Sequence, residues 1–124
     1  MTNPLLEDWT TPFGLPPFDA ISDDDFAPAV DAALDTARAN MDAIAQTADV
    51  PTFENTIVAM ELADADLSRV LGAFYAVAGA DSNPAREALQ REFAPKLSAY
   101  GSEISENKAL FARVEAIWDA RESL

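Results

Sequence analysis

The chain has 124 residues, a length suited to one domain with one core. It contains no Cys and no His, which excludes disulfides, thiol chemistry, the usual zinc ligand sets, a Ser–His or Cys–His nucleophile and a histidine pH switch. Its net charge of −14 repels nucleic acid and anionic membranes and favours solubility.

Residues 1–50 hold ten acids and one base, so most of that charge sits in the first half. Ala is abundant while Val and Ile are few, a balance that favours helix over strand. No window approaches about 18 uninterrupted apolar residues, so no transmembrane helix is expected. Met1-Thr2-Asn3-Pro4 lacks a basic region before an apolar core, so no signal peptide is expected either.

Residues 1–21 are rich in proline, and Pro12, Pro16 and Pro17 rule out a continuous helix. They also carry Leu5, Leu6, Trp9, Phe13, Leu15, Phe18 and Ile21, more large apolar groups than a flexible linker holds. The expectation is an extended arm that plugs side chains into surface grooves. Ser22 can then cap a first helix, with Asp23, Asp24 and Asp25 in the turn where the dipole favours anions. The three Asp lack the alternating ligands, Gly and distal Glu of a calcium loop. Phe26, Val30, Leu34, Ala37, Met41, Ile44 and Ala48 step by three or four and mark a buried stripe. Arg38 is spaced to reach Asp35 or Asp42.

Pro51 disfavours helix at Val50, and Thr52 is a good N-cap for a second helix with Glu54 in its first turn. Phe53, Ile57, Met60, Leu67, Leu71, Phe74 and Ala78 form one apolar row, interrupted by Asp64. Val58, Leu62, Val70 and Val77 form another. Two rows predict burial on two sides, so this helix is expected to be the one around which the others pack, with Gly72 a point of close approach. Asn83 and Pro84 are a cap and first-turn pair for a third helix, with Leu89, Phe93, Leu97, Tyr100 and Ile104 on one face. Pro95 should kink or break it. Asn107 can cap a fourth helix bearing Leu110, Phe111, Val114, Ile117 and Trp118, expected to run on to Leu124 without a stop signal.

There is no Gly-rich phosphate loop, basic stripe or internal repeat. Acid pairs such as Glu103 with Glu106 are expected by chance at this acid content, and Trp9 and Trp118 read as packing residues. No catalytic, cofactor-binding or metal-binding residue is therefore expected in this chain.

A set of short pieces in fixed order carries a resemblance. They are Asn3-Pro4-Leu5-Leu6 with Trp9, Gly14-Leu15-Pro16-Pro17-Phe18-Asp19, and Ile21 with Phe26, Pro28 and Ala29. Pro51 through Ile57 and Met60-Glu61 follow, then Arg69, Phe74, Asn83, Glu92, Pro95, Leu97-Ser98, and Asn107 with Leu110-Phe111. In these the chain resembles the N-terminal region of the thimet oligopeptidase-like zinc metallopeptidases, and most of all their bacterial peptidyl-dipeptidase (dipeptidyl carboxypeptidase) branch. One departure is Asp25, where relatives often have His before the Phe. The family's zinc site is an H-E-x-x-H helix plus a downstream Glu. That motif is absent here, so no catalytic residue carries over. What the resemblance implies is a helical region that walls a deep channel for short peptides, within a cytoplasmic enzyme whose zinc ligands lie outside this chain.

The resulting expectation is an all-α antiparallel bundle of three to four helices (22–124) preceded by an extended Pro-rich arm (1–21). The chain itself would be non-catalytic. Its partners would be the remainder of the enzyme and short peptides, with no nucleic acid, no membrane and weak self-association through Trp9, Phe13, Phe111 and Trp118. The competing reading is a free-standing acidic helical interaction module.

Overall fold

The computed structural model describes residues 3–123. Among them there is no strand, and the fold is all-α. Helix α1 spans Phe26–Ala45. A wide, π-type turn over Phe53–Val58 leads into the short α2, Ala59–Ala63. Then follow α3 (Ala65–Ala80), α4 (Pro84–Ser105) and α5 (Lys108–Asp119).

Cross-helix contacts fix the topology. Phe26 meets Phe74, while Asn40 near the other end of α1 reaches Ala63, so α1 and α3 are antiparallel. Phe74 meets Phe93 and Asp64 meets Tyr100, so α4 is antiparallel to α3. Ion pairs Asp23–Arg86, Asp31–Lys96 and Glu103–Arg38 then run down α1 and α4 in parallel register. The hub is α1, which packs on each of the other helices. This corrects the expectation that the helix after Pro51 is central. The reason is residue size: Ala29, Ala33 and Ala37 are fully or almost fully buried and let neighbours close in on α1 from more than one side.

The main core joins Leu5, Phe26, Val30, Leu34, Val70, Phe74, Phe93 and Tyr100. At its centre Phe74 makes edge-on contacts with Phe26 and Phe93, at centroid separations of 5.1 and 5.0 Å, the arrangement ring quadrupoles favour. A second, smaller core of Met41, Ile44, Ala63 and Leu110 seats α5 at the opposite end of α1.

The stripe expected on the first helix is buried from Phe26 to Ile44; Ala48 falls beyond its end and is exposed. Arg38 reaches Asp35 at 3.8 Å but bonds more closely to Glu103, at 2.8 Å. All three proposed later caps form. Thr52 Oγ1 accepts from Asn55 N–H, Asn83 Oδ1 from Arg86 N–H and Asn107 Oδ1 from Leu110 N–H, each satisfying an orphan first-turn donor.

Several expectations are corrected. The second helix is not continuous, because Asp64 (φ −112°, ψ 26°) leaves the helical region and its carbonyl restarts the chain by accepting from Ser68 N–H. Asn40 Nδ2 donates to the Ala63 carbonyl at the break. Phe53 is 48% exposed and Leu62 also faces solvent, since the wide first turn rotates the early apolar row and places Thr56 inside instead. Gly72 is exposed, and no atom approaches the position a Cβ would take there. Helix α4 passes Pro95 without a break. Both Pro95 and Arg91, whose carbonyl loses its donor, are exposed, so water can serve that carbonyl. Helix α5 stops at Asp119, where Arg121 Nη1 donates to the Trp118 carbonyl and a 3-10 turn follows. Leu124 lies outside the described residues.

The N-terminal stretch is not simply extended. Short 3-10 turns form at Pro12–Gly14, Phe18–Ala20 and Asp23–Asp25. Leu5 is fully buried in the main core, and Trp9 and Ile21 pack against it. Phe13, Leu15 and Phe18 are instead exposed, with Phe13 at 98% and φ +62°, a conformation bulky residues rarely adopt.

Candidate functional site

Helix α5 carries two distinct features on adjacent rows. Leu110, Arg113 and Ile117 point inward. Arg113 is 7% exposed and has no carboxylate partner among the described residues. It is held by neutral oxygens: Nη1 donates to the Thr47 carbonyl at 2.9 Å and the Asp49 carbonyl at 3.1 Å, and Nη2 donates to Asn55 Oδ1 at 3.0 Å. Asn55 Oδ1 also accepts from Thr52 N–H and the Thr56 hydroxyl, and its Nδ2 donates to the Val50 carbonyl. One guanidinium thus ties the end of α1, the Pro51 loop and the wide turn to α5. The fork geometry of Arg suits this task, where the point charge of Lys does not.

On the neighbouring row, Phe111 and Trp118 are each 63% exposed, with Val114 half-buried between them. Three clefts of about 310, 400 and 390 Å³ lie in succession, the first two sharing Glu106 and Asn107 and the last two sharing Phe111. The first lies between α1, α4 and the start of α5, over Arg38, Asp42, Tyr100, Glu103 and Glu106. The second continues past Glu106, Asn107 and Lys108 to Phe111, and the third runs from Phe111 to Trp118 beside Glu115 and Asp119. The first is lined mainly by polar and acidic side chains; the other two hollow the outer surface of α5 into a shallow groove lined by α5 itself and the turn before it. The Tyr100 hydroxyl lies 3.4 Å from Asp64 Oδ2; burial, then the Asp64 charge and hydrogen bond, push its pKa up to about 12. The phenol is therefore neutral at ordinary pH and can only donate or accept a hydrogen bond.

The acidic and aromatic residues weighed from sequence are scattered among structural contacts. Asp23 pairs with Arg86 at 3.0 Å, Asp25 Oδ2 accepts from Ser22 N–H at 2.8 Å, and Asp24 is exposed. Glu103 is occupied by Arg38, so Glu103 and Glu106 do not act as a matched pair. Trp9 is half-buried beneath the Arg69 guanidinium, 5.1 Å from its ring centre, whereas Trp118 stands outside the core with Arg121 stacked at 4.1 Å. Among the described residues no three His, Cys, Asp or Glu side chains gather in a way that could hold a metal. Arg113 was missed in the sequence, although its spacing signals it: it falls three residues after Leu110 and four before Ile117, on the inward row.

No family model matches the chain. Relatives do. It is 40% identical over 123 residues to the dipeptidyl carboxypeptidase of Salmonella typhimurium and 38% identical over 122 residues to that of Escherichia coli. It is also 30% identical over 111 residues to oligopeptidase A of Escherichia coli. These matches cover 99%, 98% and 90% of this chain, but only 18%, 18% and 16% of the relatives. The chain thus spans less than a fifth of the length of the curated relatives it matches. With the ordered Pro-rich, capped-helix and Asn107 pieces present in the same chain, it is similar to an N-terminal region of thimet oligopeptidase-like peptidases, with higher identity to the dipeptidyl carboxypeptidases than to oligopeptidase A.

Proposed function

We propose that this chain is the helical, channel-walling N-terminal region of a cytoplasmic zinc peptidyl-dipeptidase that degrades short peptides. In this reading residues 1–21 are an arm, residues 22–124 are the bundle, and neither carries the chemistry. The observation that supports it best is the 40% identity to a dipeptidyl carboxypeptidase across 99% of the chain. The donor chemistry agrees with a supporting role. A chain without His or Cys does not fit a catalytic zinc, so no hydrolytic step is assigned to its residues. Its carboxylates and carbonyls suit harder ions.

The test is a chimera in which this chain replaces the matching segment of the Salmonella typhimurium dipeptidyl carboxypeptidase. The expected result is release of dipeptides from a short peptide by the chimera, and none by the chain alone with added zinc. Turnover by the purified chain overturns the non-catalytic role. A folded but inactive chimera favours the free-standing acidic interaction module.

A further inference from the structure

We propose that the groove along α5 is a docking site for an amphipathic helix edged with Lys or Arg, supplied by the remainder of the larger peptidase. The inference rests on the peptidase reading above for the source of that helix. The groove itself stands on the structure.

Three observations converge on it. The exposed row Phe111–Val114–Trp118 has helical spacing, so it presents a straight apolar strip about two turns long. Two shallow clefts lie along that strip on either side of Phe111, which gives apolar side chains of a partner helix places to seat. The walls are acidic. Asp42, Glu106, Glu115 and Asp119 line the clefts and form no ion pair among the described residues, against Arg38, already bonded to Glu103, Lys108, and Arg121, whose guanidinium stacks on the Trp118 ring. An apolar floor between unpaired carboxylates is complementary to an apolar stripe between cations. The same walls disfavour a second copy of this chain, whose charge is −14.

The experiment titrates the chain with two synthetic helical peptides, alike in carrying Leu at i, i+3, i+4 and i+7. One bears Lys on the flanking positions, the other Glu. Binding is followed by backbone amide shifts. The expected result is that the Lys peptide binds with shifts confined to the groove and weakens as salt rises, while the Glu peptide does not bind. Phe111→Ser with Trp118→Ser should weaken binding at least tenfold while leaving the thermal midpoint unchanged, because both side chains are exposed. Glu106→Lys with Asp119→Lys should weaken it severalfold. Equal binding of both peptides overturns the proposal, as does no binding of either, or shifts centred on Phe13 and Phe18. A dimer in sedimentation that Trp118→Ser abolishes overturns it in favour of a second copy. None of these outcomes touches dipeptide release by the chimera, so the docking site can fail while the peptidase reading stands.

Discussion

The two ends of α1 are stabilised by different physics. Around Phe26 the molecule is held by area: three aromatic rings and the aliphatic side chains about them lose contact with water. Around Ile44 the apolar cluster is small, and a buried guanidinium bonded to carbonyls and one amide does the joining. Burial is non-directional and tolerates sliding, whereas a fork of hydrogen bonds fixes one geometry. The first end supplies stability, and the second sets where α5 and the wide turn sit.

The strongest challenge to this contrast is Phe74→Ala. It removes the central ring of the trio, with an expected loss of about 3–5 kcal/mol in chemical denaturation. Arg113→Ala should cost less, about 2–3 kcal/mol, because it removes three charge-assisted hydrogen bonds to part-buried oxygens but takes little from the main core. Its signature is local, with hydrogen-exchange protection lost first across residues 47–58. Arg113→Lys should fail to restore it, since one ammonium cannot span the three oxygens. If Arg113→Ala cost more than Phe74→Ala, the contrast between the two ends would be reversed.

Tyr100, part of the main core but lining the first cleft, tests where the two ends meet. Its pKa is raised to about 12 in the folded chain, against an ordinary value of 10. The folded state therefore keeps a proton that the unfolded state releases between those values. Stability from this source is fully present below pH 10 and is lost as pH rises toward 12. A decline on the order of 1–2 kcal/mol across that window is expected. Tyr100→Phe should flatten that part of the melting-temperature profile, and an unchanged slope would locate the alkaline transition elsewhere.

The smallest effects lie at the Pro51 junction. Thr52→Ala removes a formed cap, with an expected loss of about 1 kcal/mol. Phe53→Ala should cost only about as much, since the ring is half in solvent. A loss approaching that of Phe74→Ala would mean that Phe53 packs inward in solution.

How much of this was legible depended on the range of the forces involved. The caps at Thr52, Asn83 and Asn107 were readable because cap and donor lie within three residues of each other. The stripe on α1 was readable because one period runs unbroken from Phe26 to Ile44. The wide turn at Phe53–Val58 was not, because it is tied to Arg113, some 58 residues further on. Nor was the hub: hydrophobicity pointed to the helix after Pro51, while small side chains on α1 decided the packing. For function, single residues said only what was missing. The ordered pieces from Asn3 to Phe111 pointed to the family, and the matched relatives agree.

The wide turn has a consequence for how this fold can change length. A π-type turn closes its hydrogen bonds over one residue more than an α turn does. Deleting one residue within Phe53–Val58 would therefore let the backbone settle into ordinary helix and keep α2 and α3 in place. Because the π turn holds one residue more than an α turn does, the residues on either side of the deletion would keep nearly their present faces. What would be lost depends on the residue removed, and at Asn55 it is the amide oxygen that accepts from Arg113 Nη2. A one-residue gap at Asn55 in an alignment of related chains should thus travel with replacement of the arginine at the position of Arg113, two changes 58 positions apart that only make sense together.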